Sequence, residues 1–151
     1  MTTEDKLAVL SKLGRALNEA KVTWAVGASL MLYLNKKAMD FNDIDIMTTE
    51  QDAERVREIL LRFGAPVASA PAALYKTACF LEFRVDGVDI DVIAGFVIVS
   101  GGIDYPCPFT REAIAGYDRV NGVSIPLQSM ADWRRYYALM GRMQKVALID
   151  G

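Results

Sequence analysis

Residues 80–93 constrain the fold more than any other stretch of the chain. The run FLEFRVDGVDIDVI carries Asp86-Gly87 at its centre. That dipeptide favours the two-residue turn of a β-hairpin, because both positions tolerate positive φ. Folding about it sets Val85 against Val88, Arg84 against Asp89, Phe83 against Ile90, Glu82 against Asp91 and Leu81 against Val92. One face is then Leu81, Phe83, Val85, Val88, Ile90 and Val92, all apolar. The other is Glu82, Arg84, Asp89 and Asp91, all charged. A sheet with one buried face has this pattern. A second, smaller hairpin is expected at Asn121-Gly122, between 119–120 and 123–125.

Helical spacing and strand alternation place the remaining elements. Leu7, Leu10, Leu13 and Leu17 predict a helix over 4–20, with Thr3 as its cap. Residues 22–26 read as a short buried strand, broken at Gly27-Ala28-Ser29 before a helix over 30–35. Residues 43–47 (DIDIM) alternate like a strand. Thr49 and Asp52 form a capping box before a helix with Val56, Ile59, Leu60 and Phe63 on its apolar stripe, ended by Gly64. Ser129 and Asp132 repeat that box. The last helix turns Trp133, Tyr136 or Tyr137, Met140, Met143 and Ala147 inward. Residues 64–77 read as a loop. With no repeat and no linker, residues 1–151 are expected to form a single α/β (α+β) domain.

Composition removes several classes of function. The chain has 52% hydrophobic and 24% charged residues and a formal net charge of −2. That is globular, and it lacks the basic field that long nucleic acid requires. No apolar run approaches the ~18 residues of a membrane span. The amphipathic start MTTEDKLAVL is no signal peptide, so the cytoplasm is the expected location. Cys79 and Cys107 are expected to be free thiols. There is no histidine. Ser-His-Asp and Cys-His catalysis are thereby excluded, as is His-ligated zinc. A bound metal would need mainly oxygen ligands, which points to Mg²⁺ or Mn²⁺.

Acids supply such ligands. Asp43 and Asp45 alternate with Ile44 and Ile46, so both carboxylates share one strand face. They repel each other unless a cation lies between them. A bare D-x-D also occurs on solvated strand faces, but the hairpin adds two further acids. Asp89 has Arg84 opposite and reads as a cross-strand ion pair. Asp91 has Glu82 opposite, a like-charge pairing that calls for a cation or a raised pKa. Asp91 is therefore assigned to the site and Asp89 to structure. Asp43, Asp45 and Asp91 together could hold two metal ions that clamp a triphosphate and activate a hydroxyl.

Gly27-Ala28-Ser29 offers a close backbone approach and a helix start suited to phosphate, with Ser29 as hydroxyl donor or simple N-cap. No P-loop or dinucleotide fingerprint is present. Taken in order, VGAS at 26–29, NDIDI at 42–46 and VDIDVIAGF at 88–96 resemble the polymerase-beta-like nucleotidyltransferase superfamily. The likeness is strongest to the small bacterial group that includes AbiEii-type toxins and lincosamide-type antibiotic nucleotidyltransferases. Ala28 stands where a second glycine is common, and Val146 follows Lys145 where an acid is usual.

The resemblance implies a mixed sheet with helices on one face and an acidic site on the other. It implies transfer of a nucleoside monophosphate from an NTP to an acceptor hydroxyl, with Mg²⁺ or Mn²⁺ as two ions on Asp43, Asp45 and Asp91. Gly27, Ala28 and Ser29 would cradle the triphosphate, and Lys145 and Arg142 would neutralise its charge. The acceptor is left open: a small molecule, a protein or an RNA end. A homodimer or a partner protein would complete its pocket. The competing expectations are a non-catalytic nucleotide-binding or toxin-antitoxin module of the same fold, and acids that are no more than a solvated face.

Overall fold

The computed structural model describes residues 1–67 and 77–151. In chain order the elements are α1 (Thr3–Glu19), β1 (Trp24–Gly27), α2 (Ala28–Leu34), β2 (Ile44–Thr48), α3 (Ala53–Leu61) and β3 (Ala65–Val67). They continue with β4 (Cys79–Val85), β5 (Val88–Ala94), β6 (Val97–Ser100), β7 (Ile103–Pro106), a 3₁₀ turn (Arg111–Ala113), β8 (Ile114–Val120), β9 (Val123–Gln128), α4 (Met130–Leu139) and α5 (Met143–Asp150).

The main sheet has the order β3-β4-β5-β2-β1-β9-β8, and β6 with β7 forms a separate ribbon. The hairpin is β4–β5, with every expected partner in register. Asp86 and Gly87 take φ of 49° and 81°, and Asn121 and Gly122 at the β8–β9 turn take 49° and 79°. These are the positive values that such turns need. β2 joins β5 in parallel, and β1 joins β9 in parallel, so the sheet is mixed. Ile44, Ile46, Ile90, Val92, Val26 and Ile125 enter a core closed by Leu10, Leu13 and Leu17 of α1 and by Val56, Ile59 and Leu60 of α3. α1 and α3 thus cover one face. The alternate residues, including Asp45 and Asp91, project from the other, and α4 rises beside them over β1 and β9. Both cysteines are free. Among the described residues no helix is long and apolar enough to cross a membrane.

Several local expectations are corrected. Thr2 caps α1, not Thr3: its hydroxyl accepts from Asp5 N at 3.1 Å, and its own amide donates to the Asp5 carboxylate at 2.9 Å. Thr3 is thereby released, and it donates to Asp40 at 2.9 Å. Thr49 does not cap α3: Asp52 itself is the N-cap and makes no side-chain cap bond. Thr49 Oγ1 accepts from Asp52 N, but the Asp52 carboxylate accepts from Thr23 N at 2.7 Å instead of closing the box. Ser129 caps Asp132 N, while the Asp132 carboxylate accepts a hydrogen bond from Gln128 Nε2 at 3.2 Å. The strand expected from 43 begins at Ile44. Residues 65–67 of the expected loop form β3, and 68–76 lie outside the described residues. The final helix is two helices, broken at Gly141 with φ 74°. The break resets the helical phase, so Val146 is buried while Met143 is 58% exposed and Ala147 faces solvent.

Candidate active site

The ladder between β2 and β5 builds the site. Its register pairs Asp45 directly with Asp91, so two acidic side chains from distant segments stand side by side on one face. At that separation each carboxyl shifts the other's pKa. Asp43 precedes the first ladder residue and is exposed, yet its charge reaches both. All three line one cavity of about 320 Å³, with Ser29, Asn42 and Arg142 around the rim and Phe80, Phe96, Trp133 and Tyr137 as apolar wall.

The electrostatics follow from this crowding. Burial pushes the Asp45 carboxyl well above the usual carboxylate range, and Asp91 and Asp43 push it further, with Arg142 opposing. Burial likewise raises Asp91 to about 6; Asp45 beside it opposes the rise, and the charges of Asp43, Glu82 and Asp89 add to it. Asp43 is raised by burial and by Asp89, against the pull of Lys6. Burial and crowded like charge make the two ladder carboxyls titrate as a pair, both above the usual carboxylate range. Among the described residues no trio of His, Cys, Asp or Glu already stands in ligating geometry. The donor set nonetheless fits a hard divalent cation: it is all oxygen, and a cation between Asp45 and Asp91 would offset their like charge.

A pH dependence follows. Asp91 binds its proton more tightly folded than unfolded, so the folded state carries more bound proton between 3.8 and about 6. Stability of the metal-free protein should therefore fall as pH rises through that window, and Asp45, raised further by its burial, extends the fall above it. The expected loss from Asp91 is on the order of 1–2 kcal/mol once solvent screening is allowed for. Urea unfolding in EDTA from pH 4 to 8 measures it; a flat or rising trend would contradict the raised carboxyl pair.

Of the residues expected at the phosphate, Ala28, Ser29 and Arg142 line this cavity and Lys145 does not. Lys145 Nζ donates to Ser29 Oγ at 3.3 Å, which joins α5 to α2. Burial and the nearby Arg142 lower the Lys145 pKa. The Arg142 guanidinium lies 5.5 Å from the Tyr137 ring centroid. Gly27, not Ser29, occupies the N-cap of α2, and that helix is only 7 residues long. Ala28 sits at φ 53°, a conformation that favours glycine.

Gly27 also serves packing. A Cβ there would lie 2.6 Å from the Trp133 indole, so the missing side chain admits the ring. Trp133 is fixed from behind, where its Nε1 donates to Gln128 Oε1 at 3.0 Å and Gln128 Nε2 reaches Tyr136 Oη at 3.3 Å. Asp89 pairs with Arg84 at 2.9 Å, as expected, and Glu82 stands opposite Asp91.

Sequence reading missed Asn42, Phe80, Phe96 and Met140 as cavity residues, and it took Trp133 and Tyr137 for core alone. Trp133 and Tyr137 are both: they pack on the sheet and face the cavity. Helical periodicity reports an apolar face but does not say whether that face meets core or pocket.

No protein-family model matches the chain, and no curated protein matches it in sequence. Solved structures do match. A candidate nucleotidyltransferase of Thermotoga maritima, TM1012, superposes with a TM-score of 0.78 at 24% identity, over 99% of this chain and 93% of the other. ANT(2″)-Ia, solved with adenylyl-2″-tobramycin, gives 0.65 at 9% identity over 96% and 87%. The lincosamide antibiotic adenylyltransferase LnuA, bound to lincomycin, gives 0.60 at 12% identity over 100% and 98%. Mixed sheet, helical layer and acidic face together show that the chain has the nucleotidyltransferase fold.

Proposed function

We propose that this protein is a metal-dependent nucleotidyltransferase, moving a nucleoside monophosphate from an NTP to an acceptor hydroxyl. The observation that carries the reading is the in-register pair Asp45–Asp91, joined by Asp43, in one cavity with Ser29 and Arg142, where Ser29 is in turn bonded by Lys145. Acids and a cation around one cavity suit a triphosphate held between metal and protein charge.

Asp43, Asp45 and Asp91 would hold Mg²⁺ or Mn²⁺ as two ions. When bound, such ions neutralise phosphate charge and lower the pKa of an attacking hydroxyl. Asp91 would also accept the acceptor's proton. Ser29 donates its hydroxyl to a phosphate oxygen once Lys145 turns from it to the departing pyrophosphate. Arg142, held on the Tyr137 ring, offers a further cation at the rim. Trp133, Phe96 and Phe80 exclude water from the reacting phosphate.

The acceptor is read as a small hydroxyl-bearing molecule, in keeping with the antibiotic ligands of ANT(2″)-Ia and LnuA and with the cavity's size. Protein and RNA hydroxyls are the other acceptors to assay.

The test is twofold. Mg²⁺ with a non-hydrolysable NTP should raise thermal stability, by about 2.7 kcal/mol at 100 times the dissociation constant. Pyrophosphate release should then appear with one acceptor class. Binding without release for any acceptor would favour a non-catalytic module, and no stabilisation by any NTP would refute both. Lys145→Met should raise KM for the NTP about tenfold, the loss of roughly 1.4 kcal/mol of phosphate binding. Steady-state kinetics at saturating Mg²⁺ would measure it, and an unchanged KM would remove Lys145 from the site.

A further inference from the structure

Asp45 and Asp91 owe their positions to a ladder, whereas Asp43 does not: the first paired residue of β2 is Ile44, opposite Ile90. Its backbone must be held by something else. Among the described residues classed as buried, Lys6 of α1 is the one that carries a charge. A buried ammonium persists only where its protons find acceptors. Lys6 Nζ donates to the carbonyl oxygen of Phe41, lies 3.4 Å from Asp40 Oδ1, and sits 5.1 Å from the Phe41 ring centroid. Asp40 Oδ1 also accepts from Thr3 Oγ1 at 2.9 Å and from Phe41 N at 2.8 Å. The Phe41 ring is buried and packs on Tyr33, with centroids 5.2 Å apart.

Every one of these contacts grips the chain just before Asp43. An apolar side chain at position 6 would suit the core, but it would leave the Phe41 carbonyl without its lysine donor. We infer that Lys6 is a positioning residue: through the Phe41 carbonyl and Asp40 it fixes the backbone that carries Asp43, and so sets where the third carboxylate meets the cation. This rests on the reading of Asp43 as a metal ligand.

The test uses Mn²⁺ alone, titrated against the full chain by electron paramagnetic resonance, with Tm recorded for each variant. Lys6→Met should weaken Mn²⁺ binding roughly 10–100-fold, as loss of a group that orients a metal ligand does. Thr3→Val, which removes only the hydroxyl contact to Asp40, should weaken it less, in the same direction. In turnover assays, excess Mg²⁺ should restore the Lys6→Met rate while KM for the NTP at saturating metal stays unchanged. A merely structural role would not give that rescue. If Lys6→Met does not fold, Thr3→Val decides. Folded variants with wild-type Mn²⁺ affinity would overturn the inference. Asp45→Asn separates the two ideas: if it too binds Mn²⁺ as wild type, the acidic site itself has failed, whereas its loss of binding beside an unaffected Lys6→Met overturns only the role of Lys6.

Discussion

Replacing Asp45 by asparagine is expected to lower pyrophosphate release on the order of 10³-fold, the several kcal/mol that a correctly held cation contributes to phosphoryl transfer. The same change should raise the melting temperature of the metal-free protein at neutral pH. Asp45 is shape-matched by asparagine, but its carboxylate is buried beside Asp91 and Asp43, and all these influences disfavour its charged form. Asparagine keeps hydrogen-bonding capacity and removes the cost of keeping a buried carboxyl protonated at neutral pH. Opposite signs on activity and stability are the signature of a group retained for function. Differential scanning calorimetry in EDTA, run beside the pyrophosphate assay, checks both. A variant that is less stable and fully active would show Asp45 to be structural. Asp89→Asn is the matched control: Asp89 is exposed and paired with Arg84, so its loss should change stability by no more than about 1 kcal/mol and leave the rate near wild type.

Gly27→Ala is expected to be the most disruptive single-atom addition at the site. The new Cβ would stand 2.6 to 2.7 Å from three atoms of the Trp133 indole. That ring has little freedom to move. Its N–H is held by Gln128, and Tyr136, Tyr137 and Phe96 pack at centroid distances of 5.2, 5.4 and 6.2 Å. Overpacking of this kind costs about 1–3 kcal/mol, and the rigid ring argues for the upper end. In a chain of this length each kcal/mol moves the melting temperature by roughly 2–4 °C. Displacing Trp133 also pushes it into the cavity, so NTP affinity should fall along with stability. Gly116→Ala has nothing within 4 Å of the added carbon and should be nearly neutral. Calorimetry of the two variants together separates a specific clash from a general intolerance of alanine at glycine. Equal melting temperatures would mean that Trp133 does not occupy the space beside Gly27.

The parts of this molecule legible beforehand share a physical character. The β4–β5 pairings, the Asn121-Gly122 turn and the apolar stripes of α1 and α3 all depend on residues close in the chain. Turn chemistry and side-chain alternation act at that range. Where prediction slipped, a distant partner had intervened. Asp52 turned from Thr49 to the Thr23 amide, Asp132 turned to Gln128, and Thr3 gave up capping to bind Asp40. A carboxylate or hydroxyl with two available partners takes whichever the tertiary arrangement brings nearer, and a local motif cannot show the second one. The break at Gly141 is of the same kind. The aromatic and methionine spacing continued past it, but the phase did not.

The sequence by itself determined that Asp89 and Asp91 share a strand face, where the β4–β5 and β8–β9 hairpins turn, and that no histidine can serve as a ligand. These are consequences of alternation, turn stereochemistry and residue inventory. The sequence did not show the β6–β7 hairpin or that Asp43 lies outside β2. Only the tertiary structure decided that Asp45 stands beside Asp91, that Trp133 fills the space beside Gly27, and that Lys145 reaches Ser29. A parallel ladder has no tight turn to set its register. The pairing of β2 with β5 was therefore fixed by how their apolar faces packed against α1 and α3, which no stretch of neighbouring residues encodes.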